Sequence, residues 1–132
     1  MRVFLDTNVI VSAVATRGIC ADLLTLVLAE HDLVIGETVL GELRQVLGRR
    51  LGVPKATIAE LGEFLGQRAS VVSTPEQVPR RGLEAADAAV LAEAAAGAEV
   101  LVTGDRQLLD LARPPLPILS PRELWDRLRG PR

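Results

Sequence analysis

Short runs that are apolar on both faces alternate with helix-like segments along the whole chain. Strands of this kind are typical of a parallel sheet that helices cover on each side, because both faces of such a sheet are buried. The sequence therefore predicts an α/β fold, a three-layer α/β/α sandwich with a mostly parallel central sheet. The predicted strands are Arg2–Leu5, Leu33–Ile35, Val71–Val72, Glu99–Val102 and Ile118–Leu119.

The segments between these strands have helical spacing and helical end signals. Pro54 is expected at the first position of its helix, and Gly97 just beyond the end of another. The stretch 73–82 contains two prolines and is predicted to be a loop. No repeat or long linker divides the chain, and 132 residues suit one domain. The predicted helices are Thr7–Ala15, Ile19–Glu30, Thr38–Arg50, Pro54–Arg68, Leu83–Ala96, Asp105–Ala112 and Pro121–Arg129.

Composition excludes several classes of protein. The longest apolar stretch, 19–29, is shorter than the ~20 residues of a membrane span and contains Asp22. Asp6 falls where a signal peptide would be apolar. Cys20 is the only cysteine, which excludes an internal disulfide and a cysteine-rich metal site. We therefore expect a soluble, cytoplasmic protein without a membrane partner.

The basic residues and the single histidine argue against several other classes of site. The formal net charge is −2, and Lys55 is the only lysine among fifteen basic residues. A receiver-like phospho-switch or a haloacid-dehalogenase-like phosphatase needs a lysine after a late strand, and Lys55 lies too early. No Gly-Lys-Ser/Thr run is present for a P-loop. The single histidine, His31, is predicted at the far end of a helix, which argues against zinc and histidine chemistry.

Two aspartates follow predicted strands. Asp6 comes directly after the first strand, and Asp105 follows a later strand through Thr103 and Gly104. Aspartate is a favoured helix N-cap, so capping is one explanation for each of them. Because ligands of open parallel sheets bind beyond the carboxyl ends of the strands, a shared binding site is the other explanation.

A third acid lies on the inner side of a predicted helix. Asp87 shares one helical face with Val90, Leu91 and Ala94, the stripe that should face the sheet, whereas Glu93 is expected to point to solvent. Favourable interaction with the helix dipole, ~0.3–1 kcal/mol, is the alternative role of Asp87. Burial of a charged acid without a cationic partner costs desolvation free energy, so Asp87 is expected to have a counter-ion.

Glu42 lies at the edge of the buried stripe of its helix, where a surface glutamate is the alternative. Arg49 lies on the same face, ~10 Å further along the axis, a position suited to a phosphate. If the four acids share one end of the sheet, they repel one another and raise one another's pKa values. A divalent cation would relieve the repulsion, and hard oxygen ligands point to Mg²⁺ or Mn²⁺.

Four sequence motifs carry a family resemblance. Leu5-Asp6-Thr7-Asn8, the Glu42 helix, Asp87 followed by Val90-Leu91, and Val102-Thr103-Gly104-Asp105 resemble the motifs of PIN-domain nucleases. They are most similar to those of the VapC-like toxin components of toxin–antitoxin systems. The similarity runs over essentially the whole chain and keeps the order of the motifs.

The resemblance implies a single PIN-like domain over residues 1–132 that acts as a Mg²⁺- or Mn²⁺-dependent endoribonuclease. It also implies a cognate antitoxin partner and a homodimer. A non-catalytic PIN-like binding module for RNA or protein is the alternative, with the phospho-switch as a weaker one. The acids implied as catalytic residues and metal ligands are Asp6, Glu42, Asp87 and Asp105.

Other side chains are expected to support this site. The resemblance implies supporting roles for Thr7, Asn8 and Thr103, with Glu84 as a further acid near Asp87; capping of the next helix is the alternative role of Thr7. In such a motif Asn8 is expected to orient a carboxylate or a metal-bound water by hydrogen bonding. Arginines must attract the anionic RNA to this negative site. The candidates for that role are Arg17, Arg49 and Arg106, followed by Arg44, Arg80 and Arg81.

Overall fold

A five-stranded parallel sheet runs through the middle of the molecule. The computed structural model describes residues 1–130, and in it the strand order is β3-β2-β1-β4-β5, with parallel pairing at each step. This arrangement confirms the predicted α/β/α fold with a parallel sheet. The strands are β1 (Arg2–Leu5), β2 (Asp32–Gly36), β3 (Ser70–Val72), β4 (Val100–Val102) and β5 (Ile118–Leu119).

Helices connect the strands and cover the sheet. Within β1 the consecutive residues Val3, Phe4 and Leu5 are all fully buried, and successive strand residues point to opposite faces, so both faces are covered. The helices are α1 (Thr7–Ala15), α2 (Ile19–Glu30), α3 (Glu37–Gln45), α4 (Lys55–Arg68), α5 (Ala85–Gly97), α6 (Arg106–Leu109) and α7 (Pro121–Arg129). A π-helical turn, Val46–Arg50, continues α3.

The order of the strands reverses at the centre of the sheet. After β1 the chain moves outward to β2 and β3, and it then returns to β4 on the other side of β1. Such a reversal opens a crevice at the carboxyl ends of the two central strands, which is where open α/β sheets bind ligands. Asp6 and Thr103 are the first residues beyond β1 and β4 respectively.

Helix α6 is much shorter than the predicted helix 105–112. It ends at Leu109, and Arg113 adopts a positive φ of 50° before Pro114. Pro114 restricts only Arg113, so it does not account for this earlier end, where the C-cap Asp110 already leaves the helical conformation with φ −90° and ψ 1°. Two smaller boundary predictions were also wrong: Pro54 is the N-cap of α4 rather than its first residue, and Gly97 is the last residue of α5.

The prediction that Glu93 points to solvent was wrong. Glu93 is fully buried, and its carboxylate accepts hydrogen bonds from the Thr38 N–H at 3.1 Å, the Thr38 hydroxyl at 2.5 Å and the Thr74 hydroxyl at 2.8 Å. Helix α5 packs against α3 as well as against β2, β3 and β4, so more than one stripe of α5 is covered. A single-stripe pattern therefore underestimates how much of this helix is buried.

Glu93 caps helix α3 from a neighbouring helix. Gly36, the N-cap residue of α3, has no side chain to satisfy the first N–H groups, and the Glu93 carboxylate occupies that place. A Cβ atom on Gly36 would lie 2.0 Å from Glu93 Oε1 and 2.9 Å from Phe4 Cζ. The absence of a side chain at Gly36 thus makes room for a carboxylate that joins α3 to α5.

No single helix within residues 1–130 is long and apolar enough to cross a membrane. Helices α1 and α2 satisfy the length and composition criteria only as a pair, across a bend of 104°.

Gly36→Ala should destabilise the protein by about 2–3 kcal/mol, because the new Cβ atom displaces the Glu93 carboxylate from its three donors. Gly41→Ala is the matched control in the same helix: nothing lies within 4 Å of its Cβ position, and alanine should stabilise the helix by up to about 1 kcal/mol. Urea denaturation measures both. Equal stability of Gly36→Ala and the wild type would contradict the capping role of Glu93.

Candidate active site

Asp6 is held by three hydrogen bonds at the end of β1. Its Oδ1 accepts from the Thr7 N–H at 2.8 Å, and its Oδ2 accepts from the Thr103 hydroxyl at 2.7 Å and from Asn8 Nδ2 at 3.2 Å. Asp6 is also the N-cap of α1, and only 6% of it is exposed. The capping explanation is therefore correct for Asp6, and it does not exclude a place in a site.

Thr103 and Asn8 join the ends of the two central strands. The Thr103 hydroxyl donates to Asp6 and accepts from the Asp105 N–H at 3.0 Å. Asn8 donates to Asp6, as expected, and its Oδ1 accepts from the Gly104 N–H at 3.0 Å. Asp105 in turn caps α6, with Oδ1 accepting from the Gln107 N–H at 2.9 Å. This network fixes the two aspartates at neighbouring strand ends.

Glu42 reaches the same region from α3. Its Oε1 accepts a hydrogen bond from the Thr7 hydroxyl at 3.1 Å. Helix α1 is capped by Asp6, whereas the side chain of Thr7 contacts Glu42. The alternative capping role of Thr7 is therefore not observed. Thr7 thereby links its neighbour Asp6 to Glu42 through its own backbone N–H and hydroxyl.

The four acids line one cavity of about 450 Å³ at the carboxyl edge of the sheet. Polar groups of α1 lie beside them, and the rest of the wall is mostly apolar, with Val11, Ala15, Val46 and Leu51. Half-buried Asp87 completes the group from the first turn of α5. The cavity therefore combines an acidic end with an apolar wall large enough for a nucleotide. Its acidic residues are Asp6, Glu42, Asp87 and Asp105.

The pKa values of three of these acids are raised. Burial is the largest cause for Asp6, and the charge of Asp105 adds to it against the hydrogen bonds from Thr103, Thr7 and Asn8. Burial also raises the pKa of Glu42 and of Asp87, and in both the Asp6 carboxylate raises it further. Each of these shifts therefore includes repulsion from another acid of the same cavity.

No arginine or lysine neutralises this cluster within residues 1–130. The salt bridges in this part of the chain are Arg106–Asp110 and Arg129–Glu30, and neither includes an acid of the cavity. The counter-ion expected for Asp87 is therefore not a basic side chain of the described residues. Repulsion among the carboxylates consequently persists in the folded protein.

The predicted arginines lie away from the cavity. Arg106 is exposed and pairs with Asp110, while Arg17 and Arg49 are exposed and do not line the cavity. The lining arginine is Arg50 instead. The prediction of Arg49 assumed an unbroken α-helix, whereas the π-helical turn adds one residue to the last turn and shifts the register by one position.

Glu84 stays outside the cavity wall. It is the exposed N-cap residue of α5, without a capping hydrogen bond from its side chain, and its charge contributes to the raised pKa of Asp87. Of the supporting residues predicted from sequence, Thr7 and Asn8 line the cavity, and fully buried Thr103 lies behind Asp6. Arg50 is the lining residue that the sequence patterns missed.

The donor set suits a hard divalent cation. Carboxylate, hydroxyl and amide oxygens are the ligands that Mg²⁺ and Mn²⁺ prefer, and neither histidine nor cysteine lines the cavity. Four direct acidic ligands were expected, but no three acidic, histidine or cysteine side chains of residues 1–130 are close enough to form a ready ligand set. Mg²⁺ commonly takes one or two carboxylates and keeps several waters, which this cavity can accommodate.

Comparison with solved structures shows where else this fold occurs. VapBC-1 from nontypeable Haemophilus influenzae matches with a TM-score of 0.66 and 20% identity over 92% of this chain and 98% of the other. PAE2754 from Pyrobaculum aerophilum gives 0.66 and 23% over 97% and 89%. VapBC2 from Rickettsia felis, solved bound to a DNA fragment from the promoter, gives 0.64 and 20% over 91% and 98%.

Comparison at the level of sequence identifies the family. No curated protein sequence matches the chain. The family model of the PIN domain matches residues 2–107, a segment that contains all four acids of the cavity. This match confirms the resemblance drawn from the sequence motifs. The chain therefore belongs to the PIN-domain family.

Proposed function

We propose that this protein is a metal-dependent endoribonuclease that hydrolyses RNA phosphodiester bonds as the toxin of a toxin–antitoxin pair. The observation that carries the proposal is the group of four carboxylates on one cavity, which form no salt bridge within the described chain and of which Asp6, Glu42 and Asp87 have raised pKa values. Repulsion of this kind is costly unless a cation binds, so the cluster has a purpose beyond stability.

The residues divide into rigid and adaptable ligands. Asp6, with three hydrogen bonds, and Glu42, held by Thr7, would bind Mg²⁺ or Mn²⁺ from fixed positions. Asp87 and Asp105 are half-buried and reach the same cavity from two other helices. When bound, the cation activates a water and offsets negative charge on the phosphoryl oxygens. From its position on the cavity wall, Asp87 would help to hold the cation or accept a proton from the attacking water.

The partner that we propose for this cavity is an antitoxin. An unneutralised acidic cavity attracts a cationic side chain, and an inserted arginine would occupy it and exclude RNA. The similarity to the VapBC structures supports a protein partner of this kind. We also propose a single domain over residues 1–132, a homodimer and a cytoplasmic location, as the family resemblance implies.

A non-catalytic RNA- or protein-binding module is the second candidate. This alternative is supported by the observation that, within residues 1–130, no three acidic, histidine or cysteine side chains are placed to hold a metal ion together. The two candidates differ in chelator-sensitive cleavage of a short RNA, since a binding module would hold the RNA without cutting it. Cleavage that requires Mg²⁺ or Mn²⁺ and stops with EDTA supports the nuclease.

Asp87→Asn should lower metal-dependent cleavage by about 100-fold or more, because the cavity loses a ligand and a proton acceptor. The control is Asp32→Asn, the same chemical change at an exposed position at the amino end of β2, on the opposite edge of the sheet. A gel assay with labelled RNA and Mn²⁺ measures both rates. Full activity of Asp87→Asn would refute the site.

Asp6→Asn and Asp87→Asn should shift the metal-free melting temperature in opposite directions. Burial, followed by repulsion from Asp105, Asp6 and Glu84, raises the pKa of Asp87, so its charged form destabilises the folded state and its neutral variant should melt about 1–4 °C higher. Asp6 accepts three hydrogen bonds, and an amide nitrogen in place of one oxygen would face a donor, so its variant should melt lower. Thermal melts in EDTA test both. A fall in melting temperature for both variants would contradict the repulsion argument.

Metal-free stability should decline as the pH rises above the ordinary pKa values of these carboxyl groups, 3.8 and 4.5. Asp6, Glu42 and Asp87 have folded-state pKa values above their ordinary values of 3.8 and 4.5, so the folded state binds more protons than the unfolded chain in that window. The destabilising effect of these three carboxylates grows as the pH rises from their ordinary pKa values to their folded-state pKa values, and it is complete above the latter. The melting temperature in EDTA should therefore be higher at pH 5 than at pH 7.5, and Mg²⁺ should reduce the difference.

The same measurement on Asp87→Asn is the control for this pH dependence. The variant has one fewer titrating group in the cavity, so its melting temperature should change less between pH 5 and pH 7.5. Three exposed glutamates act in the opposite sense, because hydrogen bonds lower their pKa values. The stability that they contribute is complete above the ordinary pKa of 4.5 and is lost as the pH falls below it. They are Glu37, Glu99 and Glu123. Equal slopes for the variant and the wild type would contradict the assignment.

A further inference from the structure

The geometry points to Arg50 as a phosphate-binding residue that holds the RNA strand beside the acid cluster. This inference rests on the proposed function and adds to it the residue that positions the substrate. The ligand is the phosphodiester backbone of a single strand, recognised by a guanidinium group through charge and paired hydrogen bonds. Four observations lead to this assignment.

The first observation is the π-helical turn itself. Val46–Arg50 follows α3 without a break, and the Leu51 N–H donates to the Val46 carbonyl at 3.3 Å, a bond between residues five apart. Such turns are rare and occur often at functional sites, because the inserted residue redirects the side chains that follow. Leu47 remains buried within the turn, so the core contact of the segment is kept.

The second observation is where the turn directs the side chains. In a continuous α-helix the residue seven positions after Glu42 shares its face, and that residue is Arg49. The π-helical turn inserts one residue, so Arg50 takes that face and lines the cavity with Glu42, whereas Arg49 does not. The arginine thus lies about 10 Å further along the helix axis from the acid. That separation leaves room for a phosphate between or beside them.

The third observation concerns charge. Arg50 is the only basic residue on the wall of a cavity that has four carboxylates, as far as the described chain extends. Attraction should draw a guanidinium to such acids, yet within residues 1–130 Arg50 forms no salt bridge with any of them. Its guanidinium group is exposed and remains available for an anion that enters the cavity.

The fourth observation is the surface around Arg50. Val46 and Leu51 flank it on the same segment, Val11 and Ala15 face the cavity from α1, and Leu51 is 49% exposed. An apolar wall next to a cation and an acid cluster matches the parts of a nucleotide: the sugar and base lie on the wall, and the phosphate lies between Arg50 and the cation-binding acids.

The test is metal-free binding of a fluorescein-labelled single-stranded RNA, measured by anisotropy in EDTA so that no cleavage occurs. Arg50→Ala should weaken binding by about 5- to 20-fold at low salt and reduce the slope of log K against log salt by about 0.7, the value for one phosphate contact on a single strand. Arg50→Lys should keep the slope because it keeps the charge.

Arg49→Ala is the matched comparison, because it removes the same side chain one position earlier. It should weaken binding less than 2-fold, and thermal melts should show both variants folded, since both residues are exposed. A DNA strand of the same sequence should lose the same factor with Arg50→Ala, because phosphate contacts do not read the sugar. Unchanged binding by Arg50→Ala, or an equal or larger loss with Arg49→Ala, would overturn the inference.

Cleavage by the wild type, measured separately with Mn²⁺, distinguishes this inference from the proposed function. If the wild type cuts RNA and Arg50→Ala binds it as tightly as the wild type does, the phosphate site is wrong and the nuclease stands. If the wild type never cuts but Arg50→Ala loses binding, the nuclease is wrong and the phosphate site stands.

Discussion

The hydrogen bonds around Asp6 are the contacts on which the rest of the site depends. One carboxylate accepts from the first N–H of α1, from the buried hydroxyl of Thr103 beyond β4, and from Asn8. These bonds join two strands at the point where the order of the sheet reverses, which is the crevice that this class of fold offers to ligands. The carboxylate that caps α1 thus also lines the cavity.

The other acids arrive from separate helices, and their repulsion is held in check by packing. Glu93 caps α3 from α5 and so joins the helix of Glu42 to the helix of Asp87. Gly36 makes this possible, because any Cβ atom there would collide with the carboxylate. The buried residues Val3, Phe4 and Leu5 fix strand β1, which ends at Asp6. Packing of the core thus offsets the repulsion within the acid cluster.

The comparison of Arg49 with Arg50 shows how a local irregularity of a helix changes which side chain lines a cavity. Sequence periodicity assumes one residue spacing along a helix, and under that assumption Arg49 faces the acids. A single wider turn moves its neighbour into the cavity and leaves Arg49 in solvent. Both arginines have identical chemistry, so only the backbone decides which of them lines the cavity. Helix α6 gives a second example, because it ends at Leu109 although the apolar pattern extended it to residue 112.

The sequence by itself determined the parallel sheet, the position of Asp6 and Asp105 after central strands, and the inward placement of Asp87, because these features follow from local hydrophobic patterns and chain order. Only the tertiary structure decided that Glu93 is buried, that Thr7 contacts Glu42, and that Arg50 lines the cavity. The physical reason is that a pattern reports which face of an element is apolar. What covers a polar face, and how the backbone turns at its end, depends on neighbours that are distant in the sequence.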